Sequence, residues 1–344
     1  MSAYHGGEIT VEWKIGVIGT GAIGRDHIRR LTNVVHGAKV VALSDIRPEN
    51  AAGIAKEYGA VFYETGEEVI RDPNVDAILV ASWDPTHAGY VLQCIRERKY
   101  VFCEKPLGVS AEECRNIIDA ELQCGKRLVQ VGFMRRYDRG YRALKEIIDS
   151  GKIGAPLMVH CCHRNRIPGP QHTTDMTIKN SGIHEIDVLR WLLGEEYETG
   201  QVLTVKQNRS AQDGLEDPQI MLLKTGSGVR IDAEINMNSH YGYDIQCEVV
   251  GEMGTARLPD PNTILLKTDG TRSCQIYSDW SERFIEAYDI ELQQWIDSLN
   301  QGALQGPSAW DGYAACVTAD TLIQARLKGT IEPVLIREKP AFYE

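Results

Sequence analysis

No stretch of the 344-residue chain is apolar over the roughly 20 residues needed to cross a bilayer; runs such as Ala77–Ala81 stop after five. The nine cysteines (Cys94, Cys103, Cys114, Cys124, Cys161, Cys162, Cys247, Cys274 and Cys316) are odd in number and contain no C-x-x-C pair. Neither a disulfide framework nor a zinc ribbon is indicated, and the thiols read as reduced, mostly core residues. Basic residues are in deficit: 37 Lys and Arg face 48 Asp and Glu, a net charge of −11, with no basic stripe. That excludes a nucleic-acid backbone as partner. The leading segment Met1–Trp13 carries Glu8 and Glu12 and lacks the basic start and apolar core of a secretory signal. Internal repeats and low-complexity tracts are also missing. These absences describe a globular cytoplasmic protein with no membrane partner.

What is present is a chain 43% hydrophobic and 25% charged, long enough for two cores. Short apolar runs at Ile15–Ile18, Val40–Leu43, Val61–Tyr63, Ala77–Ala81, Tyr100–Cys103 and Leu128–Val131 read as buried strands. Helical patterns fall between them at Ile23–Leu31, Glu49–Tyr58, Pro85–Arg98 and Ser110–Cys124, the last opened by Ser110 as N-cap with Glu113 at capping-box spacing. Alternation of this kind specifies a parallel sheet covered on both faces.

After Gly132 the rhythm changes. A helix at Tyr141–Ile148 is followed by longer strands: Leu157–His163, Val202–Gln207, Gln219–Lys224, Val229–Asn236, Tyr243–Val250 and Ile264–Lys267. Tight turns at Thr225–Gly228 and Asp269–Gly270 imply antiparallel pairing. Helices are expected at Ile183–Leu193, Phe284–Leu299 and Asp311–Leu327, and Asn165–Asn180 reads as a long loop of the kind that often carries function. The expected fold is α/β: a Rossmann dinucleotide-binding domain over residues 1–133, then an α+β domain over 134–344 built on a large open, mainly antiparallel sheet.

Gly19-Thr20-Gly21-Ala22-Ile23-Gly24 fits G-x-G-x-x-G. It follows a strand, opens a helix, and is followed 21 residues after Gly24 by Asp45 at the end of the second strand, which completes the dinucleotide fingerprint. The glycines permit the turn, the approach of backbone to pyrophosphate, and the packing of helix on strand, while the helix N-terminus offers N–H donors. A carboxylate at Asp45 accepts from ribose hydroxyls and repels a 2′-phosphate. NAD is therefore favoured over NADP, with Arg47 two residues on as a possible softening influence or a plain surface residue.

Glu104-Lys105-Pro106 closes the fifth strand at the carboxyl edge of the sheet, where ligands of open α/β folds bind. Along Ile183–Leu193, His184, Asp187 and Trp191 share one face beside an apolar stripe, so His184 is either a chemical residue or a core histidine bonded to Asp187. His184-Glu185 does not extend to H-E-x-x-H, because position 188 is Val. Cys161-Cys162-His163 alternates faces along a strand, so no metal is expected.

With the glycine motif, Ser82-Trp83-Asp84-Pro85-Thr86-His87 and Glu104-Lys105-Pro106 in place, the chain from about Ile15 to Gly329 resembles the Gfo/Idh/MocA oxidoreductase family. Phe133-Met134-Arg135-Arg136-Tyr137, His163-Arg164-Asn165, His184-Glu185-Ile186-Asp187 and Tyr241–Glu248 resemble its inositol 2-dehydrogenase branch. The resemblance implies NAD-dependent oxidation of a ring hydroxyl of myo-inositol, or of scyllo-inositol or a pyranose, by a homotetramer. It implies cofactor contacts from Gly19, Gly21, Ala22, Ile23, Gly24, Asp45, Ile46, Arg47, Ser82, Trp83, Pro85, His87, Glu104 and Lys105. It further implies that Lys105 contacts nicotinamide ribose and substrate, that His184 takes the hydroxyl proton, and that Met134, Arg135, His163, Asn165, Asp187, Tyr241 and Tyr243 line the polyol pocket. One position departs from the pattern. Asn180 stands where the family has an aspartate four residues before the histidine, which leaves three readings: an enzyme relying on Lys105 and His184, a different polyol, or a cofactor-binding sensor with weakened or lost chemistry.

Overall fold

The computed structural model describes residues 12–259 and 264–344; most of the leading segment judged above lies outside them. The chain forms two compact units, residues 1–107, 115–132 and 289–309 making the first and residues 108–114, 133–288 and 310–344 the second. A single cut at residue 133 therefore needs two exchanges, residues 108–114 passing to the second unit and residues 289–309 returning to the first.

The first unit is built on β1 (Trp13–Ile18), β2 (Ala38–Ser44), β3 (Val61–Phe62), β4 (Ala77–Val80), β5 (Tyr100–Glu104) and β6 (Val129–Gly132). They are all parallel, in the order β3-β2-β1-β4-β5-β6. This order reverses direction between β1 and β4, the crevice where such sheets bind ligands. β4 and β5 are buried along their whole length, as strands covered on both faces must be. The intervening helices are α1 (Ala22–Asn33), α2 (Pro48–Tyr58), α3 (Gly66–Arg71), α4 (His87–Arg96) and α5 (Ala111–Cys124). Two differ from expectation. α3, which no helical pattern announced, is opened by a capping box between Thr65 and Glu68, and the helix expected from Pro85 is a 3₁₀ turn, Asp84–Thr86, followed by α4. At the start of α5 the Ser110 hydroxyl caps Glu113's backbone nitrogen (3.2 Å), while Glu113's carboxylate reaches one residue further back, to the nitrogen of Val109 (2.8 Å).

The second unit carries α6 (Arg139–Asp149), β7 (Pro156–Arg164), a single-turn α7 (Thr174–Met176), α8 (Ile183–Leu193), β8 (Tyr197–Thr204), β9 (Gln219–Thr225), β10 (Arg230–Asn236), β11 (Asp244–Gly251) and β12 (Gly254–Arg257). The hairpin β13 (Leu266–Thr268) and β14 (Thr271–Ser273), the short α9 (Trp280–Arg283), the long α10 (Ile285–Asn300) and α11 (Ala309–Lys328), and β15 (Glu332–Pro333) complete the chain. Seven strands run β12-β11-β7-β10-β9-β8-β15. All neighbours are antiparallel except β7 with β10, so the sheet is mixed with an antiparallel majority. β8 begins at Tyr197 rather than Val202 because Gly200, which looks like a breaker, lets Leu322 of α11 pack against the strand. The expected loop at 165–180 is helical in its second half: α7 leads into a π-helical turn, Thr177–Gly182, which runs straight into α8.

Candidate active site

At the end of β1 the chain turns at Gly19, whose φ of +97° excludes most side chains and whose Cβ would stand 2.5 Å from the Ala81 carbonyl oxygen. A side chain on Gly24 would run into the carbonyl of Gly19, so α1 can pack this close only with glycine there. At Gly21 nothing would meet a Cβ within 4 Å: here the backbone is open to an approaching group. α1 starts at Ala22 with no side-chain cap, leaving its first N–H groups to an anion.

Asp45 follows β2 and is held by three donors. Its Oδ2 accepts from the backbone nitrogen (2.6 Å) and hydroxyl (2.9 Å) of Thr20, and its Oδ1 from the nitrogen of Arg47 (2.9 Å). Burial works against its charge, but these bonds and the Arg47 guanidinium prevail and hold the carboxyl below its usual range. Asp45 lines a cleft of about 410 Å³ with Gly19, Gly21, Arg47, Ser82, Ile46 and Trp83. Ile46 is 92% and Trp83 72% exposed, apolar surface of the kind an adenine ring covers. Glycine cradle, helix N-terminus, fixed carboxylate and apolar walls together fit a dinucleotide.

Three residues expected at the cofactor are not among those lining this cleft. Glu104 is buried; its Oε1 lies 2.7 Å from Nε2 of His27 and its Oε2 accepts from the backbone nitrogen of Lys105 (3.2 Å). His87 is buried with its two ring nitrogens 2.7 Å from the Pro106 carbonyl and 3.0 Å from that of Ser82. Both residues therefore tie the loops after β4 and β5 in place rather than offering a free polar edge. Pro85 lies exposed in the 3₁₀ turn and is absent from the cleft lining. His27 carries a sequence signal of its own, a polar ring at a buried position of α1. Lys105 itself is half-buried, directly after β5.

In the second unit a polar cluster forms around α8. Arg135, from the 3₁₀ turn Met134–Tyr137, is buried and pairs with Glu185, while its Nη2 lies 3.1 Å from Nδ1 of His163. Glu185 Oε2 is 2.9 Å from the same nitrogen. Burial opposes the charge of Glu185, yet the Arg135 cation and His163 beside it keep the carboxyl below its ordinary range. The His163 ring lies 6.3 Å from that of His184 and 5.8 Å, edge-on, from that of Tyr243. Burial pushes the Tyr243 phenol up to about 12, so it stays a donor at neutral pH. The structure thus brings together Arg135, His163, His184 and Tyr243, and adds Glu185, which sequence reading passed over as the second letter of a failed zinc motif.

Other expectations change. Asp187 is not the partner of His184: both its oxygens accept from Arg136, at 2.9 Å and 2.5 Å, and the side chain is buried. It is a structural anion, not a free wall of a polyol pocket. Met134 is likewise buried. Tyr241 is half exposed and its hydroxyl donates to Asp244 (2.5 Å), whereas Tyr243 is buried; the two lie before β11, where His240 (φ +62°) and Gly242 (φ +159°) on either side of Tyr241 depart from strand geometry. Asn165 and Asn180 are half-buried, Asn180 within the π turn. A cleft of about 490 Å³ on the sheet, lined by His160, Arg164, Asp232 and Glu234 among others, includes none of the expected residues.

Residues 13–133 match the family model described as oxidoreductase family, NAD-binding Rossmann fold, and residues 145–336 match the corresponding C-terminal alpha/beta domain. The chain belongs to the Gfo/Idh/MocA oxidoreductase family. It is an NAD-dependent oxidoreductase. Among the relatives of this family member, an inositol 2-dehydrogenase from Burkholderia cenocepacia is 59% identical over 332 residues, 96% of this chain and 98% of that one. Another from Azotobacter vinelandii is 55% identical over 331 residues, with the same coverage. The crystal structure of myo-inositol dehydrogenase from Lactobacillus casei, in complex with NAD(H) and myo-inositol, superposes with a TM-score of 0.94 at 39% identity, covering 96% of this chain and 99% of that one.

The fixed carboxylate of Asp45 has a direct consequence for cofactor choice. NAD should bind about tenfold more tightly than NADP, the cost of placing a phosphate beside a carboxylate. Asp45→Ala should narrow that gap by weakening NAD and relieving NADP. Titration of both cofactors measures it, and equal affinities in the unmodified protein would refute the assignment.

Proposed function

We propose that this protein oxidises a ring hydroxyl of a cyclic polyol to a ketone with NAD, and that myo-inositol is the substrate and 2-keto-myo-inositol the product. The observation that carries this reading is the 59% identity to an inositol 2-dehydrogenase over nearly the whole chain. NAD, when bound, supplies the acceptor for the hydride leaving the carbinol carbon. The chain's own residues manage everything else. Gly21 and the start of α1 take the pyrophosphate and Asp45 the adenosine ribose. Lys105 donates to the reacting oxygen and stabilises its developing negative charge, while His184 receives the hydroxyl proton. Arg135, His163, Asn165 and Tyr243 supply donors and acceptors for the remaining hydroxyls, the mixture a polyol rim requires.

Among the described residues no helix is long and apolar enough to cross a membrane. A reducing cytoplasm suits a chain in which Cys161 and Cys247, opposite one another across β7 and β11, remain thiols. We further infer self-association through the open face of the seven-stranded sheet, where Met158 and Leu203 stand exposed.

The test is a polyol panel, with myo-inositol, scyllo-inositol and pyranoses each incubated with enzyme and NAD and reduced nicotinamide followed by absorbance. Turnover should be highest on myo-inositol. A higher rate on scyllo-inositol or a pyranose would reassign the substrate. Cofactor binding with no reduction by any polyol would favour the sensor, the reading that Asn180 keeps open.

A further inference from the structure

Thr20 stands between the two permissive points of the turn after β1, Gly19 at φ +97° and Gly21 with nothing near its Cβ direction, yet it is itself only 1% exposed. Each of its polar groups is bonded. The backbone nitrogen (2.6 Å) and the hydroxyl (2.9 Å) both donate to Oδ2 of Asp45, and the carbonyl accepts from Nε of Arg25 (3.0 Å). One residue earlier the nitrogen of Gly19 donates to the Ser44 carbonyl (2.9 Å), so this turn is fastened to the end of β2 at two successive positions. A carboxylate has about four acceptor directions, two on each oxygen. Thr20 takes both on Oδ2 and the Arg47 nitrogen takes one on Oδ1 (2.9 Å), so a further donor is received at Oδ1. Two of these three donors are backbone N–H groups, which almost any residue supplies. The Thr20 hydroxyl is the one that depends on the side chain. A hydroxyl bonded to a carboxylate is charge-assisted and stronger than a neutral pair, and β-branching restricts χ1, so the donor arrives ordered.

We propose that Thr20 is a positioning residue for cofactor choice: by closing Oδ2 of Asp45 it fixes the carboxylate in one rotamer, with Oδ1 left to the adenosine ribose and the charge set against a 2′-phosphate. The inference rests on the proposed placing of Asp45 at that ribose. An aspartate at the end of a strand has three staggered χ1 wells to share. In a different well its carboxylate neither accepts from the ribose nor repels a phosphate. Discrimination between NAD and NADP is then a property of the pair, the aspartate supplying the charge and the threonine its direction, in the manner of an outer hydrogen bond that orients a ligating side chain.

Thr20→Val keeps the shape of the side chain and the backbone bond to Asp45 and removes only the hydroxyl. Titrated with each cofactor in the absence of substrate, it should bind NAD about tenfold more weakly, the size of one charge-assisted hydrogen bond, while NADP affinity changes about twofold or less. The preference of the unmodified protein is thereby lost. Thr20→Ser returns the hydroxyl and should restore that preference to within about twofold. In an Asp45→Ala background the added Thr20→Val should cost NAD about twofold or less, because the group it positions is gone. Equal weakening of both cofactors by Thr20→Val would overturn the proposal, and so would the same loss of NAD affinity with and without Asp45, since a threonine that only shapes the turn gives those results. Thr20→Ala cannot overfill the turn and supplies the same comparison if the valine variant does not fold. Failure of the placing of Asp45 has a different signature: Asp45→Ala would leave NAD affinity unchanged, and the proposal would fall with it.

Discussion

Lys105→Ala should lower turnover by about 10²–10⁴, the range expected when a positioned acid–base or electrostatic group is lost, while NAD affinity changes only a few-fold. The chain goes to some trouble to hold this residue. β5 is buried along its whole length, Glu104 at its end bonds the backbone nitrogen of Lys105, and His27 on α1 bonds Glu104 from behind at 2.7 Å. A lysine fixed this way, at the carboxyl end of a strand beside the switch point, is placed for what binds there rather than for solubility. In the proposed mechanism its contribution is to the transition state. There the ammonium would stabilise oxygen as the proton departs and the carbonyl forms, whereas cofactor affinity would come from Asp45, the glycine cradle and the α1 N-terminus. Lys105→Arg should not rescue, since a guanidinium keeps its protons and its planar fork needs room that an ammonium does not. Steady-state kinetics with parallel NAD titration separate the two effects. Near-normal turnover in Lys105→Ala would remove the residue from the mechanism.

The first unit was legible because its signals are local. Gly19, Gly21, Gly24 and Asp45 are constrained by one turn and one helix end, and a resemblance to a known family could be read from them in order. α3 was missed although Thr65 and Glu68 display the capping pattern in the sequence; six residues are too few to show a helical period. The second unit hid more because its polar contacts are distant. Nothing local says that Asp187 belongs to Arg136, 51 positions away, rather than to His184 three positions before it. The pairing follows from the 3₁₀ turn after β6, which sets both Arg135 and Arg136 against α8. Residues 165–180 read as loop because Pro168, Gly169 and Pro170 punctuate them, which hides the π turn. It is held by tertiary contacts: Lys179 reaches Asp320 (2.8 Å) and the Val109 carbonyl (2.9 Å), and Ile178 is buried. Likewise Tyr241 stands between two residues of positive φ, only one of which is glycine.

That π turn bears on the second large effect. Asn180 lies inside it and His184 begins α8, so a widened turn, closed from i to i+5 rather than i to i+4, connects them along one helix. Such turns concentrate at functional sites, where they shift which side chains share a face. Asn180→Asp should raise turnover on myo-inositol about tenfold and move the acid limb of the kcat/KM profile up by about one pH unit. The sign follows from charge. A carboxylate near His184 favours the imidazolium, so the ring's pKa rises and the free base, the form able to take a proton, is lost at a higher pH. Above that limb the same carboxylate stabilises the imidazolium formed as the hydroxyl proton arrives, and the rate climbs. The native amide is neutral and gives neither effect. In a hydrolase triad the change in the opposite direction, aspartate to asparagine, costs about 10⁴ in turnover, which sets the scale available to such a partner. The contrary outcome is equally informative. If the native protein is fast on some polyol, and Asn180→Asp slows it without moving the acid limb, the amide is bonding a substrate hydroxyl directly. Asn180 would then belong with the residues that choose the epimer, and His184 would depend on other neighbours for its basicity.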